Sequence, residues 1–206
     1  MYELSGTFTH LYRRLGYKVI QVDTQLDGSD VRLLKKFEMR IIGILAFPPC
    51  THFSGSGARW WKKKGDKPLL DALSMVDAVL RMVQIYQPDF WMLENPVGRL
   101  RHFIGKPAYM FNPCQYSGYL DNPDDEAYTK KTCLWGIFNV PQPKPVYPKH
   151  GSMMHKLKNP KTGKYYSFTG EKVKNWRSKT PEGFARAFVE VNPLQNPEMG
   201  SGFSHS

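Results

Sequence analysis

Apolar residues fall along the chain in short blocks of two kinds. Ile41–Phe47 is an almost unbroken apolar run, as in a strand covered on both faces, and it stops at Pro48-Pro49, which cannot donate to a ladder. Phe90–Leu93 repeats the pattern, and Tyr17–Val22, Tyr109–Phe111 and Leu134–Phe138 are further strand candidates. Leu69, Leu73, Val76, Leu80 and Val83 instead recur at helical spacing. Ala72, Met75, Val79 and Met82 widen that face, and Gln87-Pro88 ends it. Thr7 to Leu15 reads as a helix closed at Gly16. Phe184–Val189 belongs to a last helix, with Thr180 expected as its cap and Pro181 in its first turn. Strands alternating with helices predict an α/β fold, a mainly parallel sheet with helices on both faces.

In such a sheet, ligands gather beyond the carboxyl ends of the strands. Four strand ends are singled out: Ser5-Gly6, Asp23, Pro48-Pro49-Cys50 and Glu94-Asn95-Pro96. Two prolines hold Cys50 on a stiff support, which makes its thiol a candidate nucleophile; a small buried hydrophobe is the plain alternative. Glu94 follows Trp91-Met92-Leu93, where an ionised carboxyl without a partner would be costly. Such an acid can hydrogen-bond a heterocycle's ring nitrogen and amino group, or it can be a surface carboxylate or a helix cap. A thiol and a carboxyl on neighbouring strand ends suit thiolate attack on a pyrimidine ring, with the acid stabilising the ring nitrogen.

Composition narrows the picture. With 206 residues the chain is about one domain long, and 41% hydrophobic residues exclude wholesale disorder. Three cysteines (Cys50, Cys114, Cys133) are too few and too scattered for a disulfide scaffold or a thiolate zinc site, so no metal is expected. No apolar run reaches ~18 residues and the N-terminus lacks a signal pattern, so a cytoplasmic protein away from the membrane is expected. The formal net charge is +11, and Gln142–Lys179 carries ten Lys or Arg against the single acid Glu171. Tyr147, Tyr165, Tyr166, Phe168 and Trp176 are interleaved there, a combination suited to phosphates and exposed bases. Lys156, Lys158, Lys161, Lys164 and Arg177 are the nucleic-acid contacts expected within it. The organisation expected is a catalytic core over 1–141, this basic segment over 142–179, a returning helix over 180–191 and a disordered tail over 192–206.

The motifs resemble the cytosine-C5 DNA methyltransferase family, in the compact form found in phages and prophages. Pro48-Pro49-Cys50 resembles its nucleophile motif and Glu94-Asn95-Pro96 its Glu-Asn-Val/Pro motif. Ser5-Gly6-Thr7-Phe8-Thr9, Gly16-Tyr17-Lys18-Val19 and Asp23 resemble the cofactor-binding opening, and Asp30-Val31-Arg32-Leu33 the segment that contacts adenine. Tyr128-Thr129-Lys130-Lys131-Thr132 and Arg177-Ser178-Lys179-Thr180-Pro181 resemble later motifs, so the likeness spans about residues 3 to 190. It implies a Rossmann-like class I S-adenosylmethionine-dependent methyltransferase fold, and transfer of a methyl group to C5 of a cytosine flipped out of DNA. Cys50, Glu94 and Lys131 would be catalytic. Ser5, Gly6, Thr7, Phe8, Asp23, Asp30, Val31 and Pro48 would hold S-adenosylmethionine, and the protein would act as a monomer. The sequence departs from the pattern in its lone Gly6, in lysines where the family often has arginines, and in having little room for a separate target-recognition domain. Two other readings stay open: a DNA-binding decoy without transfer, and an enzyme acting on cytosine nucleotides or RNA. Neutralising several lysines between Lys144 and Lys179 is expected to weaken DNA binding and flatten its dependence on salt, measured by titration at two ionic strengths.

Overall fold

The computed structural model describes residues 6–24, 26–153, 163 and 178–193. Helix α1 (Thr7–Arg14) opens the described chain. Strand β1 (Gly43–Ala46) follows, then a short helix α2 (Trp61–Lys64) and the long helix α3 (Lys67–Tyr86). Pro68 lies in the first turn of α3, where its missing N–H costs nothing. Gln87 ends α3 in the left-handed region at φ 44°, and Pro88 prevents continuation. Strand β2 (Phe90–Pro96), helix α4 (Arg101–Ile104), strand β3 (Tyr109–Phe111), strand β4 (Thr132–Ile137) and helix α5 (Glu182–Val191) complete the order.

The four strands form one sheet in the order β1-β2-β4-β3. β1 and β2 are parallel, with Gly43 opposite Phe90 and Ala46 opposite Leu93, and α3 makes the crossover between them. β4 runs antiparallel to both β2 and β3. The sheet is therefore mixed, not mainly parallel, because β4 returns between two strands that share a direction. Tyr17–Val22 also departs from expectation, since it joins no ladder. An apolar cavity of about 370 Å³ is lined by Tyr17, Val19, Ile20 and Val22 of this run and by residues 42–46 at β1.

Alternation along β2 divides the core in two. Leu93, with the partly buried Trp91, packs with Leu69, Ala72, Val76 and Val79 of α3. Phe90 and Met92 pack on the other face with Phe8 and Tyr12 of α1 and with Phe184, Ala187 and Phe188 of α5. Helices thus cover both faces, as the doubly apolar strands require. The second face is aromatic: the Phe8 ring lies 5.5 Å from that of Phe188, and Phe111 stacks on Phe184 at 4.0 Å. No helix among the described residues is long and apolar enough to cross a membrane.

The start of α5 differs from the expected cap. Pro181, in extended conformation, occupies the cap position and Thr180 is buried before it. The cap comes from far away in sequence: the Glu126 carboxylate accepts from Glu182 N at 2.6 Å and from Gly183 N at 3.0 Å. A carboxylate also suits the positive end of the helix dipole. Glu126→Ala would leave both N–H groups without this partner. It is expected to cost about 2 kcal/mol, seen as a lower urea midpoint with an unchanged slope; an unmoved midpoint would contradict the role.

Candidate functional site

β1 ends at Ala46 and the chain turns through Pro48, Pro49 and Cys50. The prolines bring no N–H to continue the ladder, and the buried Pro48 carbonyl accepts instead from Asn95 Nδ2 of β2 at 3.0 Å. This bond ties the two strand ends together. Cys50, half-buried, opens a single 3-10 turn (Cys50–His52), and its carbonyl accepts from Phe53 N at 3.0 Å and Ser54 N at 2.8 Å. The loop beyond is laced to the loop after β2: Gly55 N donates to Val97 O, Arg99 N to Phe53 O, and Arg99 Nε to His52 O at 2.7 Å. A Cβ at Gly98 would stand 1.9 Å from the Phe53 carbonyl oxygen, so only glycine permits this approach.

Glu94 lies opposite Leu134 of β4, on the aromatic face with Phe90 and Met92. It lines a cavity of about 10 Å³ together with Phe8, Phe47, Lys130 and Thr180. Burial pushes the Glu94 carboxyl up from its ordinary pKa, and the Lys130 ammonium opposes that shift. Asn95, fully buried beside it, uses its amide nitrogen on Pro48 and leaves Oδ1 without a partner among the described residues. Of the lysine pair, Lys130 reaches this cavity, whereas the exposed Lys131 acts on Cys133. Alternation explains the difference. Continued upstream from β4, it puts Lys130 on the face of Thr132 and Leu134, and Lys131 on that of Cys133 and Trp135. The lysine brought to the carboxyl is therefore the neighbour of the expected Lys131.

The residues expected to hold S-adenosylmethionine meet different fates. Gly6, φ 63°, precedes α1 with open space where a side chain would stand, and Thr7 is the first residue of the helix. Phe8 is fully buried and reaches the Glu94 cavity. Asp23 and Val31 are buried. The exception is Asp30. Its carboxylate accepts from Arg32 Nε at 3.0 Å to each oxygen and caps Arg32 N, and the guanidinium holds its pKa below the usual range. Ser5 and the expected nucleic-acid contacts Lys156, Lys158, Lys161, Lys164 and Arg177 lie outside the described residues. Among the described residues no group of three or more His, Cys, Asp or Glu could hold a metal ion.

Two features escaped the sequence reading. One is Asn95 as the tie between strand ends; its place in the Glu-Asn-Pro triplet was the available signal. The other is the run Arg59-Trp60-Trp61-Lys62-Lys63-Lys64 on the limb after Cys50, visible as cations around two tryptophans but outweighed by the larger basic segment. No protein-family model matches the chain, and no curated protein matches it.

Because burial favours the neutral acid, folded Glu94 keeps a proton that the unfolded chain gives up. Its effect on stability is therefore lost as pH rises from the ordinary glutamic range through the raised value. Glu94→Gln has no charge to strip of water. It is expected to melt above the wild type at about pH 8, with the gap closing near pH 4 in thermal scans; a gap independent of pH would contradict the buried acid.

Proposed function

We propose that the protein transfers a methyl group to C5 of cytosine in DNA through a covalent adduct on Cys50. The observation that carries this reading is the Asn95–Pro48 hydrogen bond, which ties together the ends of two paired parallel strands, with Cys50 two residues beyond Pro48 and Glu94 one residue before Asn95. The Rossmann-like class I methyltransferase fold belongs to the same proposal and is supported by a parallel strand pair with helices on both faces.

In this reading the Cys50 thiolate adds to C6 of a flipped cytosine, and the electron pair moves toward N3, which takes a proton from Glu94, whose acid form burial favours. C5 is then the nucleophilic carbon. S-adenosylmethionine, when bound, supplies the methyl group, and Gly6, Phe8, Asp23 and Val31 are the residues that would hold it. After C5 has gained the methyl group, its proton leaves to solvent, the Cys50–C6 bond breaks to regenerate the thiolate, and the N3 proton returns to Glu94. Lys130, beside the carboxyl, stabilises Glu94 while it is ionised. With only about 10 Å³ free at Glu94, a pyrimidine needs the residues lining this cavity to move apart.

The engagement of Asp30 with Arg32 favours one competing reading, a DNA-binding protein without transfer. Incubation with methyl-labelled S-adenosylmethionine and cytosine-containing DNA decides between them. Label at C5 is expected with the wild type and none with Cys50→Ala, which should still bind DNA. Glu94→Gln should transfer about a hundredfold or more slowly. Transfer retained by Cys50→Ala would overturn the mechanism.

A further inference from the structure

Beyond Cys50 the chain runs through a 3-10 segment (Gly55–Trp60) into α2, and the two adjacent tryptophans there have different surroundings. Trp61 is half-buried, with the Arg99 guanidinium 4.3 Å above its ring. Trp60 is 46% exposed, and two cations lie over its ring, Arg59 at 5.2 Å and Lys63 at 5.9 Å. From Arg59 to Lys64 there are four cations and no acid. Trp60 belongs to neither core cluster, and long flexible cations at its faces can be exchanged for another flat partner. The limb is also fixed relative to Cys50, through the bonds from Gly55 to Val97 and from Arg99 to Phe53 and His52.

We propose that Trp60 is a stacking platform for an unpaired base, with Arg59, Lys62, Lys63 and Lys64 taking the phosphates on either side. The limb is thus a binding site for single-stranded nucleic acid. A paired base already stacks within its duplex, so an indole in this setting selects single strands or locally opened ones. When a base takes a face of Trp60, Arg59 or Lys63 is released toward the backbone. The proposal rests on the reading that this site handles a nucleic-acid base, and it does not depend on methyl transfer.

The test uses the full chain and a fluorescent oligothymidylate of about 16 nucleotides, which contains no cytosine for Cys50 to capture. Anisotropy titrations at two salt concentrations would compare wild type with Trp60→Ala, Trp60→Phe, the triple variant Lys62→Gln/Lys63→Gln/Lys64→Gln, and Cys50→Ala. Trp60→Ala should weaken binding about tenfold, and Trp60→Phe should restore most of the loss. The triple variant should lower the salt slope by about 2. Cys50→Ala is the variant in which methyl transfer is read beside oligothymidylate binding. Melting curves matching the wild type would show that the exposed substitutions leave the fold intact, and Trp60→Phe keeps the comparison valid if Trp60→Ala does not. Affinity unchanged by Trp60→Ala, with or without an effect of the lysines, would overturn the platform. Competition by heparin equal for wild type and Trp60→Ala would reduce the limb to a plain charged surface and overturn it too. A Cys50→Ala protein that still transfers methyl groups while oligothymidylate binding stays sensitive to Trp60 would sink the mechanism and leave this proposal standing.

Discussion

The site depends on how β1 ends. Two prolines in succession bring no N–H to the sheet, so the backbone leaves the ladder with the Pro48 carbonyl buried and in need of a donor. Asn95 supplies it from the next strand through Nδ2, and its Oδ1 has no partner among the described residues. Residue types that stop a strand and a residue type that rescues the stopped end therefore occupy neighbouring positions. The neighbours of those residues in sequence are Cys50 and Glu94, on which the proposed methyl transfer rests.

Much of this could be read in the chain beforehand. β1, β2 and α3 were visible because burial on two faces and on one helical stripe leaves distinct periodicities, and Gln87-Pro88 and Pro48-Pro49 punctuate them unambiguously. The facing of Glu94 was harder to see. Its position in a strand follows from pattern, but which core it faces depends on β4, whose antiparallel return between β2 and β3 no local signal announces. Lys130 and Lys131 illustrate the same difficulty: adjacent residues of one type point to opposite faces, and only the register against β2 separates them.

The remaining differences come from partners distant in sequence. Thr180 is a good cap by type, yet Glu126 takes the role from 56 residues away, since a buried carboxylate can satisfy two N–H groups where one hydroxyl satisfies a single one. Tyr17–Val22 has strand composition but no ladder, because composition gives a preference for extension and says nothing of the neighbour needed to complete it. Trp60 was obscured for the opposite reason. Its ring is partly exposed, and exposure of an aromatic residue cannot be read from its type.

Gly98 has a consequence for how such a chain can diverge. The loop after Cys50 and the loop after β2 meet at the Phe53 carbonyl with no space for a side chain, and backbone bonds on both sides of that point hold them in register. Inserting or deleting a residue in either loop would slide one past the other and break the contact in several places, whereas exchanging Trp60 or a lysine would disturb none of it. Evolutionary drift in this part of the molecule is therefore limited in length before it is limited in chemistry, and the identity of what is bound can change while the frame that presents it stays the same.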